Sequence, residues 1–469
     1  MGKLTDDVVL DFLRTCKMVY DSKKETTFIA DNAKVGGLNF FRGFGDADTD
    51  EYIGELIYKE FGMFPSDLLL KRVIKVLAYE TKKNGLQQDV NYRVANTDKG
   101  IYVNIGAGLI VRVTGKSVSI VEKAPVKFVV HNTLGKMAIP DIESGNLKLL
   151  RKYILVTDKE YKLILVYIFN CYFTGTHYLL LYLRGPAGST KSFITKVVKE
   201  VVDPSRVTLR NQFKNGEALV ISSEHCHLID INNCSKLTDA VQDTLCTTLT
   251  GGVATSRSLY SNKGQSVIHT HNPVVMNGIE SIITRDDLLE RSLIIHLNKI
   301  CESDVAIVEE EQLKKDFIAD LPKIMGGIFN ALKAIMLVNQ TFETDEKLSR
   351  MASFHRLGLV TEQALNWKSG SFTRAYKANL SSAQYETLES NKVAQALIKQ
   401  KELNDAPFQG TYLELRDKLM VVGEIGQMEP RQLRGILDRL SGSLLNLHGI
   451  KVTRLTRSGQ GSRVKITYK

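Results

Sequence analysis

The sequence predicts an α/β fold with a mostly parallel sheet, and three observations carry that expectation. An apolar strand, Tyr178 to Leu183, runs into the segment GPAGSTKS, Gly185 to Ser192. A helical pattern, FITKVVKEVV, runs out of it. From about 146 to 345, strand-like and helix-like stretches alternate, the order that crossover helices give to a parallel sheet.

At 469 residues the chain has length for about three domains, each with its own core. Residues 1–145 mix short helices with β-rich pieces such as GIYVNIGAGLIVRVTGKSVSIVE, Gly100 to Glu122. Alternation and turn glycines there predict hairpins, hence a separate N-terminal α+β domain. Residues 146–345 form the sheet and its crossover helices. Residues 346–400 read as helical, interrupted at Trp367 and at the SGS turn, Ser369 to Ser371. Residues 401–469 form a last, basic unit.

Leu163 to Leu183 contains 21 residues without Lys, Arg, Asp or Glu, the length of a transmembrane helix. Asn170, Thr174, Gly175, Thr176 and His177 divide it. It reads as a helix ending near Phe173, a turn and the strand before the loop. That is buried core, and no membrane partner is expected. Six cysteines (Cys16, Cys171, Cys226, Cys234, Cys246, Cys301) include no C-x-x-C pair, the pattern of a reduced chain. The N-terminal MGKLTDDVVLDF has no apolar signal core, and Asp6 stands where myristoylation wants Ser or Thr. A cytoplasmic location follows as an expectation. Net charge of +10 and a pI near 9.1 favour a polyanionic partner.

Gly185, Pro186, Ala187, Gly188, Ser189, Thr190, Lys191 and Ser192 match the phosphate-binding pattern G-x-x-x-x-G-K-[ST] with one departure, Thr190 in place of the last glycine. Between a strand and a helix, the backbone N–H groups and the helix dipole surround phosphates. Lys191 then reaches the β/γ-phosphates and the Ser192 hydroxyl ligates Mg²⁺. The Cβ of Thr190 sits where the loop wants a positive φ, so Thr190 must accept an unusual dihedral or weaken binding.

A nucleotide site of this kind needs a second strand ending in an acid that holds the metal through water. The candidate is HCHLIDINN, His225 to Asn233. Asp230 lies inside the strand and Asn232 two residues on, on the same face. Because an amide cannot act as a base, Asp230 is the better metal partner on chemistry, with Glu224 also near. A third strand, Pro273 to Met276, ends in Asn277, placed to sense a γ-phosphate. Beyond it, TRDDLLERSLIIHL carries Arg285 and Arg291. Either could be a finger contributed across a subunit boundary, or a surface ion pair with Asp286, Asp287 or Glu290.

The order GPAGSTKS, HLIDINNCSKL, GGVATSRSLY (Gly251 to Tyr260) and PVVMNGIESIITRDDLLERSLIIHL resembles AAA+ ATPases of the superfamily 3 helicase type. It is most similar to the group encoded by phages, plasmids and integrating elements, often fused to or accompanied by a primase. SRMASFHRLGLVTEQALNW, Ser349 to Trp367, and the C-terminal segment extend the likeness over nearly the whole chain. The resemblance implies a P-loop AAA+ core, ATP and Mg²⁺ as cofactors, DNA as partner and a homo-oligomeric ring such as a hexamer. It also implies host cytoplasm as the location, a separate primase or polymerase chain, and a role for Arg257 at a sensor, DNA loop or interface. Two departures stand out. The family has small Gly or Ala at Thr190, and its Asp-Asn pair aligns with Asn232 and Asn233, which leaves hydrolysis dependent on Asp230.

From Pro430 to Lys469 there are nine basic residues against one acid, Asp438. Leu433, Leu437, Leu440, Leu444 and Leu447 recur at helical spacing, so this helix buries one face and exposes its arginines. KVTRLTR and RVKITYK flank SGQGS, Ser458 to Ser462, as a hairpin. A helix followed by a basic two-stranded wing predicts a C-terminal winged helix. Nucleic-acid contacts are expected from Arg431, Arg434, Arg454, Arg457, Arg463 and Lys465. His225, Cys226, His227 and Cys234 fit no common zinc spacing, and DADTDE around Asp46 to Glu51 reads as solvated charge.

These readings converge on a nucleic-acid-dependent ATPase, a mobile-element replication helicase with ATP between ring subunits. The runner-up is an ATP-binding initiator or scaffold that assembles on origin DNA without hydrolysis. A transcription regulator would instead bind specific duplex without ATP.

Overall fold

The computed structural model describes residues 4–31, 39–257, 265–298, 310–403, 406–458 and 461–468, and the side chains of 254–257, 265–267, 457, 458 and 461 lie outside that description. The N-terminal part begins with α1 (Asp6–Arg14), β1 (Met18–Asp21), β2 (Thr26–Ala30) and β3 (Phe40–Gly43). Two helices follow, α2 (Ala47–Phe61) and α3 (Asp67–Asn84). The Ser66 side chain caps α3 by accepting from the Leu69 N–H. Leu69, Val73 and Leu77 then recur every four residues and bury one face of α3 with α1.

Next come β4 (Leu86–Gln87), β5 (Val90–Asn91), β6 (Val94–Thr97), β7 (Gly100–Gly106), β8 (Leu109–Val113), β9 (Val118–Val121) and β10 (Lys127–Val129). Six of these strands form a mixed sheet in the order β4-β1-β2-β3-β10-β5, and β6 to β9 form an antiparallel meander. The meander is the hairpin region read from residues 100–122. Its inward residues Ile101, Val103, Ile105, Val111 and Val113 join the largest core of the molecule, shared with the helices beyond residue 150.

A 3-10 turn (Leu147–Lys152) leads to α4 (Asp158–Asn170), which starts with a capping box between Thr157 and Glu160. The uncharged stretch 163–183 is divided as its polar residues suggest. The helix ends at Asn170, three residues before the expected Phe173, and the strand starts two residues late, as β11 (Leu180–Arg184).

Then follow α5 (Lys191–Val202), β12 (Arg210–Asn211), α6 (Gly216–Ser223), β13 (Ile229–Asn232), α7 (Asp239–Thr250), the hairpin β14 (Gly252–Arg257) and β15 (Gln265–Thr270), β16 (Val274–Gly278), α8 (Asp286–Leu289) and β17 (Ser292–His296). β12-β13-β16-β11-β17 form one sheet, parallel throughout. Helices cover both faces, so β11 is apolar without alternation: Leu181 and Leu183 enter one core, Leu180 and Tyr182 the other. The fold is thus mixed α/β with a parallel sheet.

The long α9 (Glu310–Asn339) has the length and hydropathy of a membrane span, but one face of it, with Phe317, Leu321, Ile324, Ile328, Leu332 and Ile335, lies in the main core, while Ile318 is exposed. Its Gly326 and Gly327 let another chain segment touch its backbone. A Cβ on Gly326 would meet the Asp141 carbonyl oxygen at 1.8 Å, and one on Gly327 the Leu147 nitrogen at 2.2 Å. The same segment donates from Asp141 N to the Pro322 carbonyl (2.9 Å) and from Asn146 N to the Lys323 carbonyl (2.8 Å).

The chain continues through α10 (Ala352–Ala364), α11 (Ser371–Glu389), α12 (Lys392–Leu403), β18 (Phe408–Thr411), α13 (Tyr412–Val422), α14 (Pro430–His448), β19 (Ile450–Ser458) and β20 (Gly461–Tyr468). β18-β20-β19 is an antiparallel sheet. It packs with α12 to α14 around Leu433, Leu437, Leu440 and Leu444, a core separate from the others. This unit docks on the parallel-sheet region through α14. Ser443 donates from N (3.2 Å) and Oγ (2.8 Å) to the Asp286 carboxylate, and Arg439 pairs with Asp239 at 3.4 Å.

Candidate nucleotide site and basic surface

The loop Gly185–Ser192 lies at the C-terminal end of β11, between β16 and β17, where ligands of open parallel sheets bind. Gly185 is required there: a Cβ would stand 2.3 Å from the Leu297 carbonyl oxygen. Gly188 and Thr190 both have positive φ, 78° and 58°. Thr190 therefore adopts the left-handed conformation that a glycine would take freely, at a cost of about 1 kcal/mol. Its side chain caps nothing in α5; its hydroxyl donates to the Ser189 carbonyl at 2.7 Å.

Lys191 is the first residue of α5 and Ser192 the second, so the unpaired N–H groups of the first turn open onto the loop. The Lys191 ammonium folds back to the Pro186 carbonyl (2.6 Å) and Ser189 Oγ (3.2 Å). Burial pushes its pKa below the ordinary lysine value. Ser192 Oγ donates to Asn232 Oδ1 at 3.0 Å, and Asn277 Nδ2 donates to the same oxygen at 2.9 Å. Asn277 is fully buried; its Nδ2 also donates to Thr195 Oγ1 (2.9 Å) and its Oδ1 accepts from Asn233 N (3.0 Å). Loop, β13 and β16 thus meet in a neutral cluster of Ser192, Asn232, Asn277 and Thr195. Among the described residues, no carboxylate joins the hydrogen bonds of Ser192.

Asp230 shares the strand face of Asn232 but lies two residues earlier on β13, beside Lys199 of α5. Its carboxylate accepts from Arg210 Nη1 (2.7 Å) and the Leu209 N–H, and Lys199 Nζ stands 3.7 Å away. It is fully buried. Asp230 is thus engaged by Arg210 and Lys199, and the amide of Asn232 is the group that meets Ser192. Glu224 lies away from the loop, within the electrostatic reach of His225, Lys24 and Asp46, and burial raises its pKa.

Lys199 continues the charges inward to Asp203 at 3.1 Å, and Asp203 pairs with Arg93 Nε at 2.9 Å. Arg93 is buried and also donates to the carbonyls of Asn104, Gly135 and Pro204. Burial opposes ionisation of Asp203, but Lys199 and Arg93 outweigh it and hold its carboxyl far below the ordinary value. Sequence reasoning passed over Thr195, Lys199, Asp203, Arg210 and Arg93. The only signal was the i,i+4 spacing of Lys199 and Asp203 on a helix with apolar neighbours.

The two arginines after Asn277 part company. Arg285 pairs with Asp243 of α7 at 2.9 Å and is partly exposed. Arg291 donates to the Asp287 carbonyl (2.7 Å) and carboxylate. It immediately precedes β17, whose first residue Ser292 pairs with Leu180 at the start of β11. The strand's length, about 15 Å, separates it from the loop that follows Arg184.

In the C-terminal unit, Asp438 holds Arg434 (3.7 Å) and Arg454 (Nε, 2.7 Å), so two predicted contact residues are gathered on the segment's one acid. Arg431 is exposed at the start of α14. Arg463 and Lys465 lie half-buried on β20, and the side chains of Arg457 and Arg257 lie outside the described residues. For a metal, the described residues contain no cluster of three or more His, Cys, Asp or Glu side chains. Ser192 Oγ, which donates to Asn232 Oδ1, keeps lone pairs beside the loop, while Asn232 Oδ1 already accepts two hydrogen bonds; such a hydroxyl suits a cation otherwise coordinated by phosphate and water.

Residues 147–384, just over half of the chain, match the family described as actinomycete integrative conjugative element replication protein. No curated protein matches the chain. Among solved structures, the "SCCmec type IV Cch - active helicase" aligns over 96% of this chain and 92% of its own, at 10% identity and a TM-score of 0.46. The A form apo structure of the NrS-1 C terminal region aligns over all of both chains at 10% identity and a TM-score of 0.42.

Proposed function

The chain belongs to the actinomycete integrative conjugative element replication protein family, and from that premise we propose that it is an ATP-dependent replication ATPase acting on DNA, a helicase of the superfamily 3 type. The observation that carries this reading is the loop at the end of β11, with Lys191 and Ser192 opening α5 and Asn232 bonded to Ser192. On this reading residues 185–192 hold the phosphates of ATP through backbone N–H groups and the α5 dipole. Lys191 exchanges the Pro186 carbonyl for a phosphate oxygen. Ser192, backed by Asn232, holds Mg²⁺, which when bound neutralises charge on the β- and γ-phosphates. Asn277 positions Asn232 and the turn after β13. Arg291, a strand's length from its own loop, serves the site of a neighbouring copy in a ring, with Arg285 the other candidate. The unit 401–469 acts as a winged helix on DNA through Arg431, Arg434, Arg454, Arg457, Arg463 and Lys465.

One observation favours a second reading, an initiator or scaffold that binds ATP and hydrolyses it slowly or not at all. The group beside Ser192 is an amide, and the nearby Asp230 is committed to Arg210 and Lys199. Phosphate release by wild type and Lys191→Ala, with and without single-stranded DNA, separates the two. The ATPase reading expects DNA-stimulated turnover that falls at least about tenfold in Lys191→Ala. ATP binding without turnover in the wild type would overturn it in favour of the initiator.

A further inference from the structure

The outer face of α3 carries a stripe that the nucleotide site does not use. Leu68, Lys71, Lys75, Tyr79 and Lys82 follow at spacings of three and four residues, on one side of the helix. They face away from Leu69, Val73 and Leu77, which fill the core. Tyr79 is 64% exposed, and Lys83 places its ammonium 5.8 Å from the ring centroid. Arg72 and Glu80, on neighbouring faces, are paired with Asp6 and Arg14, and Asp50 of α2 lies within electrostatic reach of Lys71; Lys75, Lys82 and Lys83 make no ion pair with the described residues, so the stripe is net positive.

We propose that this face of α3 binds single-stranded nucleic acid, a second contact beside the C-terminal unit that rests on the replication reading above. An exposed ring among cations offers an unpaired base a stacking platform while the ammonium groups meet the backbone phosphates. Duplex bases are already stacked on one another, so the ring selects single strands. Lys71 and Lys75 stand about 6 Å apart along the axis, and the stripe to Lys83 spans about 18 Å, enough for several nucleotides. A second copy of the same face would set like charges opposite each other, which disfavours self-association as its use.

The test is binding of the full chain to a fluorescent oligothymidylate of about 15 nucleotides, as a function of salt and without ATP. Tyr79→Ala should weaken binding about tenfold. The triple variant Lys71→Gln, Lys75→Gln, Lys82→Gln should lower the slope of log affinity against log salt by about 2. All four positions are at the surface, and unchanged melting temperatures verify the fold. Arg431→Gln with Arg434→Gln, assayed on duplex, reads the C-terminal contact separately. Unchanged affinity and slope in the α3 variants overturn the inference while duplex binding still judges the C-terminal reading. Loss of self-association in the α3 variants, with oligothymidylate binding intact, also overturns it.

Discussion

Two polar arrangements hang on the same two elements, α5 and β13, and differ in charge. At the strand tips, Ser192, Asn232, Asn277 and Thr195 are joined by neutral hydrogen bonds beside the loop. Two residues back along β13 and two turns along α5, Asp230, Arg210, Lys199, Asp203 and Arg93 form a buried chain of alternating charge. The charged chain ties the meander region to the parallel sheet. The neutral one leaves room for charge to be brought in by a ligand. Two side chains on one strand face, Asp230 and Asn232, can thus be held by quite different partners.

The largest effect expected from this contrast is on stability. Arg93→Ala takes from Asp203 one of its two cations and from the carbonyls of Asn104, Gly135 and Pro204 their guanidinium donor, and should cost about 3–5 kcal/mol, read by urea denaturation. Asp230→Asn should cost about 2 kcal/mol, because an amide loses the ion pairs with Arg210 and Lys199, while ATP affinity changes little. Lost turnover at unchanged stability would break the comparison and return Asp230 to the metal. Asn232→Asp, which places a carboxylate beside Ser192, should raise ATP turnover about tenfold if the missing acid limits it. A fall in phosphate release would show that the neutral cluster is already suited to the reaction.

The smallest effect is on pH dependence. Burial holds the buried His227 imidazole below its ordinary value of 6.5. The unfolded chain takes up a proton there that the folded chain refuses, so stability is complete above pH 6.5 and declines as pH falls through that value. Asp203 contributes lower down: its carboxyl, depressed from 3.8, loses its stabilising charge only in stronger acid. The melting temperature should decline between about pH 7 and 5, and less so in His227→Gln.

Ser192, Asn232 and Asn277 of the neutral arrangement were visible in the sequence because each stands at the end of an apolar strand or the start of an amphipathic helix; Thr195, one turn into α5, was not. The charged one was not. Arg93 lies in a short polar segment, NYRVAN, that gives no sign of burial, and Asp203 lies 110 residues away. Lys199 and Asp203 have the spacing of an exposed helix pair, and only the packing of α5 shows them buried. In the C-terminal unit a count of cations anticipated a basic surface but not that Asp438 gathers Arg434 and Arg454. Thr190 was legible as a departure; that it takes the left-handed conformation needed coordinates.

The contact of Gly326 and Gly327 with the segment around Asp141 to Leu147 bears on how the polypeptide responds to proteases. A protease must draw an extended stretch of chain into its cleft, and this stretch is pinned by two backbone hydrogen bonds and by carbonyl-to-backbone contact with α9. The boundary that the sequence suggests near residue 145 is accordingly among the harder places to cut the chain.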